Sequence, residues 1–244
     1  MADEKVLATF LRKLEVRDAL SEAEKAALVA CASEEVEFPA GSDIVREGDR
    51  PTSSMMVLDG FSSRYSDSPD GARQITAIHV PGDFVDLHSL LLREMDHSVG
   101  ALSACRVMRF PHGRLRDLTE THPHLTRLLW MQTLIDGAIH REWIVAMGRR
   151  SRKSHIAHLI CELFVRLRVV KKTDGWSFFF PLTQAATADA LGISLVHLNK
   201  TLQKLRKEDL FRWENRTIVI EDWEGLQQVA EFDSSYLNLS VEPR

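Results

Sequence analysis

The feature that most narrows the possible folds is a rhythm of glycines. Gly41, Gly48, Gly60, Gly71 and Gly82 cut residues 37–87 into short runs, the last three at eleven-residue intervals. The runs between them, such as "SSMMVLDG" and "RQITAIHV", alternate in polarity or are rich in β-branched residues. Short strands bounded by tight turns at this spacing predict a small antiparallel barrel or sandwich. "PDG" at 69–71 and "PGD" at 81–83 are the clearest turn signals, because glycine accepts the positive φ such turns need. The pattern stops after "ACRVMRFP", so the strand-rich part is only one portion of the chain.

Helical periodicity flanks it on both sides. Residues 4–34 read as helical, with Ser21 and Glu24 forming a capping box ahead of apolar positions at helical spacing. From about Leu115 to Met147 a long helix is predicted, with Leu125, Leu128, Ile135, Ile139 and Ala146 near a 3.5–3.6 period. A helix of about thirty residues would be about 45 Å long, more than a small barrel needs. A parallel copy of itself is the simplest partner, and these five residues are the expected dimerisation seam. Gly148 is the expected hinge before a further helix that buries Ile156, Leu159, Ile160, Leu163, Phe164 and Leu167. A turn and short strand, a helix pair, a two-stranded hairpin and a last short helix with an acidic tail complete the chain.

Composition bounds the class. The 244 residues suffice for one large or two ordinary domains, and no apolar run is long enough to span a bilayer. Cys31, Cys105 and Cys161 lie far apart without CxxC spacing, which argues against disulfides, structural zinc and a four-cysteine cluster. The N-terminus lacks the layout of a secretion signal, so a cytoplasmic location is expected. Charge is uneven: residues 1–140 carry 15 basic against 22 acidic side chains, 141–216 carry 15 against 7, and 217–244 carry 1 against 6. A basic segment inside an acidic chain suits a polyanion partner.

Within that segment lies "LTQAATADALGISLVHLNKTLQKLR", residues 182–206. Thr183 can cap the first helix, Gly192 can supply a left-handed turn, and Ser194 can cap the second helix. Leu198, Leu202 and Leu205 then form one buried stripe. His197, Asn199, Lys200, Gln203 and Lys204 lie off it and carry no acidic group until Glu208. Such a face can donate to base edges and phosphates. The following hairpin, with Arg212, Asn215 and Arg216 around its tip, reads as a wing.

These motifs, in this order, resemble the CRP/FNR family of bacterial transcription regulators. The resemblance covers nearly the whole chain and rests on the β-roll glycines, "PGDF" (81–84), "ALSACRVMRFP" (101–111) and "TADALGIS…NKTLQKLR" (187–206). It implies an α+β chain with an N-terminal, jelly-roll-like β-roll sensor domain (1–114), a dimerisation helix (115–148) and a C-terminal winged helix-turn-helix (149–244). It also implies a homodimer on double-stranded DNA, with RNA polymerase and an unidentified small-molecule effector as further partners and no membrane. Val196, His197 and Lys200 are expected to read bases beside Asn199. Thr183, Gln184, Ser194, Lys204, Asn215 and Arg216 are expected to hold the backbone.

The chain departs from the family at two places. Where cyclic-AMP-binding members place a Gly-Glu pair and then an arginine for the cyclic phosphate, this chain has "FVDLHSL" and "EMDHSVGAL". Asp86, Arg93 and His97 are the candidate effector-pocket residues, and an aspartate without a matching arginine suits a cyclic phosphate poorly. No cofactor is expected. The alternative is an effector-dependent sensor that binds DNA only when liganded, through a cyclic nucleotide, haem (His79, His88 and His97 being the β-roll histidines) or redox chemistry at Cys105. At the start of the second helix, Leu195-Val196-His197 and Lys200 replace the family's glutamate and arginine, so an altered half-site is expected. Enzyme motifs are missing. His155 and His158, three apart on one helix, read as partly exposed positions beside a basic run.

Overall fold

A computed structural model describes residues 4–242. The described residues divide into two compact units. One comprises those up to Tyr65, Ile78–Gly137 and those from Asn238; the other comprises Ser66–Ala77 and Ala138–Leu237. The outermost residues of the expected first and last domains, 1–3 and 243–244, lie outside the described part.

The first unit opens with α1 (Glu4–Glu15) and α2 (Glu22–Cys31). Ser21 caps α2 with the expected reciprocal box: its side chain accepts from Glu24 N while the Glu24 carboxylate accepts from Ser21 N. Seven strands follow along the chain: β1 (Glu35–Phe38), β2 (Asp43–Val45), β3 (Ser53–Asp59), β4 (Ser62–Asp67), β5 (Arg73–His79), β6 (Ser98–Ala101) and β7 (Cys105–Pro111), with most of β5 and the end of β4 counted in the other unit. They form two antiparallel sheets, β1-β7-β3 and β2-β6-β4-β5. Val57, Val85, Val99 and Val107, all at 0 % exposure, centre the core they share with Met55, Met95 and Cys105. Phe10 of α1 closes one side, its ring 5.4 Å from Phe84 and 6.5 Å from Phe110. Burying a side chain of that size contributes about 1.5–3 kcal/mol. Gly60 is fixed by its surroundings: a Cβ there would sit 2.2 Å from the Ala104 carbonyl oxygen.

The predicted helix from Leu115 is two helices, α3 (His112–Thr121) and α4 (Pro123–Arg149). The break falls at His122 because the ring of Pro123 disfavours helical geometry in the residue before it. At 27 residues, α4 is about 40 Å long. Gly148 is helical within α4, and the chain turns instead at Arg150–Ser151, where Ser151 caps α5 (Arg152–Val169).

The second unit gathers around α5, whose Ile156, Leu159, Ile160, Leu163, Phe164 and Leu167 are buried as expected. Phe164 packs against Trp176, Phe178 and Trp223 at ring distances of 5.4, 6.1 and 5.2 Å. The single strand expected after α5 is a hairpin, β8 (Thr173–Asp174) and β9 (Ser177–Phe179). α6 (Gln184–Leu191), α7 (Leu195–Arg206), β10 (Phe211–Glu214), β11 (Thr217–Ile220) and α8 (Trp223–Ala230) follow. The strands form one sheet, β10-β11-β9-β8. The acidic tail folds onto α5: Tyr236 donates its hydroxyl proton to Glu162 (3.0 Å) and stacks on His158.

Candidate functional site

The polar surface of the second unit is assembled by caps. Thr183 Oγ1 accepts from Ala186 N at 3.1 Å and starts α6. Gly192 adopts φ +61, which lets α6 stop and α7 begin three residues later, at Leu195. Ser194 Oγ accepts from His197 N (3.3 Å) and lies 3.0 Å from His197 Nδ1, holding that imidazole at the start of α7. Leu198 and Leu205 are fully buried and Leu202 nearly so. The stripe fixes the rotation of α7 and turns Val196, His197, Lys200, Gln203 and Lys204 to solvent.

Of the ten candidate DNA-contacting residues, Thr183, Gln184, Ser194, Val196, His197, Lys200, Lys204, Asn215 and Arg216 are exposed, while Asn199 is half-buried. They lie at the first turns of α6 and α7, along α7 and at the tip of the β10–β11 hairpin. Asn215 and Arg216, at φ +48 and +60, make the two-residue turn whose twist matches paired strands. The base of that turn is pinned by Phe180 N donating to Arg216 O at 2.8 Å. Arg212 is held by Glu221 at 2.8 Å. Glu208, the first acid beyond the face, is neutralised by Lys153, whose Nζ donates to it at 2.7 Å. Leu195, 44 % exposed beside Val196 at 62 %, adds an apolar contact that the sequence reading did not assign.

The effector-pocket candidates do not converge as expected. Asp86 is completely buried, and its Oδ1 accepts from Met55 N at 2.6 Å, which ties β3 to the turn after Phe84. Burial pushes its pKa up to about 7. Arg93 is exposed on the loop, so it supplies no buried cation for Asp86. The buried cation in this region is Arg64 of β4, whose Nη1 donates to Asp136 Oδ2 at 3.1 Å. The sequence reading missed Arg64, because nothing in "FSSRYSD" (61–67) marks its fourth residue as inward-facing. His97 is buried, its Nδ1 2.6 Å from Asp96 Oδ1, and His88 lies beside it. Cys105 is buried too; its thiol donates to Phe61 O and burial pushes its pKa up to about 11. That thiol is protonated and therefore a poor redox nucleophile.

Two more placements differ from expectation. Leu125, Leu128, Ile135, Ile139 and Ala146 are all buried within the single chain, at 0, 0, 7, 6 and 1 % exposure. Their period marks the inner face of α4, not an open seam. The apolar side chains left exposed on α4 are Trp130, Leu134, Ile144, Val145 and Met147. His155 and His158 are buried rather than partly exposed, and burial lowers both pKa values to about 4.

Residues 35–122 match the cyclic nucleotide-binding domain and residues 154–229 the Crp-like helix-turn-helix domain. A "Probable transcriptional activator" of Rhizobium leguminosarum bv. viciae is 28% identical over 191 residues, 78% of each chain. The transcriptional activator protein FnrL of Cereibacter sphaeroides is 24% identical over 201 residues, 81% of this chain and 80% of its own. The solved structure of FixK2 from Bradyrhizobium japonicum superimposes with a TM-score of 0.72 at 20% identity, covering 81% of this chain and 96% of FixK2. No helix among the described residues is long and apolar enough to cross a membrane. With its β-roll, its long helix and its winged helix-turn-helix in this order, the chain belongs to the CRP/FNR family of DNA-binding transcription regulators.

Proposed function

We propose that the protein acts as a homodimer on a two-fold symmetric DNA site, with α7 in the major groove and the wing on the adjacent backbone. The observation that carries this reading is the exposed face of α7. Its histidine, glutamine and lysines are free of acidic neighbours and stand on a leucine stripe that fixes their direction. Lys200 reaches guanine O6 or N7, Val196 meets a thymine methyl, and His197 donates to a base acceptor or phosphate. Thr183, Gln184, Ser194, Lys204, Asn215 and Arg216 hold phosphates and set the register.

The dimer runs along the outer face of α4. Trp130, Leu134, Gly137, Arg141, Ile144 and Gly148 follow one another at alternating four- and three-residue steps. That is the spacing of a coiled-coil seam, with two glycines allowing close approach. Trp130, Leu134 and Ile144 are 66, 58 and 67 % exposed, too much apolar surface on one stripe to leave in water. Half-site centres then lie about one helical turn of DNA apart.

The test is selection of binding sites from a randomised DNA pool with purified protein, followed by affinity against salt. A symmetric site that differs from the family half-site, with a steep salt slope, is the expected result. An unmodified family half-site would overturn the roles given to Val196 and His197. Leu134→Glu places like charges across the seam and is expected to weaken the dimer at least ~10-fold, measured by sedimentation equilibrium. A dimer unaffected by that change would remove α4's outer face from the interface.

A further inference from the structure

We propose that His88, Asp96 and His97 bind a divalent first-row transition-metal ion in the β-roll. His88 comes from the short 3₁₀ turn Leu87–Leu90, and Asp96 and His97 from the chain entering β6. One ligand atom from each lies within 4.8 Å of the others. Two imidazoles and a carboxylate are the nitrogen and oxygen donors that zinc, cobalt(II), nickel(II) and iron(II) accept. Three protein ligands also leave positions for water or a further ligand.

A second observation points the same way. Nε2 of His88 and Nε2 of His97 are both buried without a hydrogen-bond partner, and the two rings are 5.0 Å apart. Leaving one such buried group unpaired costs about 1–3 kcal/mol, so two side by side mark a place for something that accepts their lone pairs. For His97 the tautomer follows from the geometry. With Nδ1 at 2.6 Å from Asp96 Oδ1, the Nδ1 proton is donated to the carboxylate and Nε2 is left as a bare lone pair. Asp96 becomes a ligand by exchanging this hydrogen bond for the ion, its exposed carboxylate turning from Nδ1 toward the metal.

The electrostatic surroundings allow a cation. Arg64 is the nearby positive charge, and its guanidinium is held by the Asp136 carboxylate at 3.1 Å. Asp96 adds a negative charge, and its side chain is 75 % exposed, which opens a path from solvent. By contrast, the His155–His158 pair has no such grouping among the described residues, and His158 Nε2 is engaged by the Tyr236 hydroxyl at 3.2 Å. An ion held by all three ligands would fasten the loop 87–97 to the start of β6.

Chelator-treated full-length protein is titrated with cobalt(II), read by its visible absorption, and the ion is then displaced with zinc(II). The expected result is one ion per chain, a loss of about 100-fold in affinity for His88→Gln or His97→Gln, and about 10–100-fold for Asp96→Asn. Thermal unfolding of each variant checks that it folds. Asp96 is exposed, so Asp96→Asn decides the matter should the buried histidine variants prove unfolded. His158→Gln is expected to bind cobalt like the parent chain. Absence of a cobalt spectrum at millimolar metal, or an affinity that survives Asp96→Asn and both histidine changes, would overturn the proposal. The readout is the ion itself, so either result leaves the DNA-binding reading to its own test.

Discussion

α5 and α7 belong to the same unit, and both are rich in arginine or lysine and carry histidine, yet they use their polar groups in opposite ways. α5 turns twelve residues inward, among them Ser154, His155, His158 and Glu162. Glu162 is completely buried and accepts hydrogen bonds from Trp143 Nε1 (3.1 Å), Arg166 Nη1 (2.9 Å) and the Tyr236 hydroxyl (3.0 Å). α7 buries only Leu198, Thr201, Leu202 and Leu205. The side chains of Lys200, Gln203 and Lys204 make no hydrogen bond or ion pair among the described residues. Local basic charge therefore does not identify the nucleic-acid surface. What identifies it is polar chemistry that the fold itself leaves unused, because only such groups can exchange water for phosphates and bases without dismantling a protein contact.

Three experiments can break this contrast. The largest effect is expected for Glu162→Ala on α5, which leaves Arg166, Trp143 and Tyr236 around a lost charge. Removing one partner of a buried pair costs about 3–5 kcal/mol, to be measured by denaturant unfolding. Near-neutral stability there would mean that α5's interior is not the rigid support inferred. Lys200→Ala on α7 should do the reverse. It is expected to cost about 1–3 kcal/mol in discrimination at one base pair while shifting unfolding by less than about 0.5 kcal/mol. Comparable losses for every DNA sequence would demote Lys200 to a phosphate contact.

The third experiment concerns pH. Burial lowers the pKa of His155 and His158 to about 4, below the ordinary histidine value of 6.5. The unfolded chain therefore binds protons that the folded chain refuses between these values. Stability is full above about pH 6.5 and falls as pH drops toward 4, by up to about 1.4 kcal/mol per pH unit for each histidine. His155→Leu should flatten the fall in thermal stability across that window. A variant as acid-sensitive as the parent would place the titrating group elsewhere.

Features written into neighbouring residues were legible in the sequence. Ser21 and Glu24 announced the cap of α2, Gly192 the turn between α6 and α7, and the leucine stripe the outward face of α7. Each is set by contacts a few residues apart. What could not be read depends on partners far along the chain. Arg64 meets Asp136 across 72 positions, and His158 meets Tyr236 across 78, so neither burial had a local signal. α4 is apolar on two faces, and periodicity alone does not say which one its own chain covers. The break at His122 was different, because Pro123 stood in plain view and only the strength of the surrounding helical pattern obscured it.

The hairpin tip carries a compromise. A turn with positive φ at both central positions is most comfortable as Asn-Gly, yet the second residue here is Arg216 at φ +60. Holding a long, Cβ-bearing side chain in the left-handed region costs on the order of 1 kcal/mol or more. Glycine at 216 would relax that strain and remove the guanidinium in one step. At this position the chain cannot become both easier to fold and better at gripping an anion, so a change that improves one property should be found to have surrendered the other.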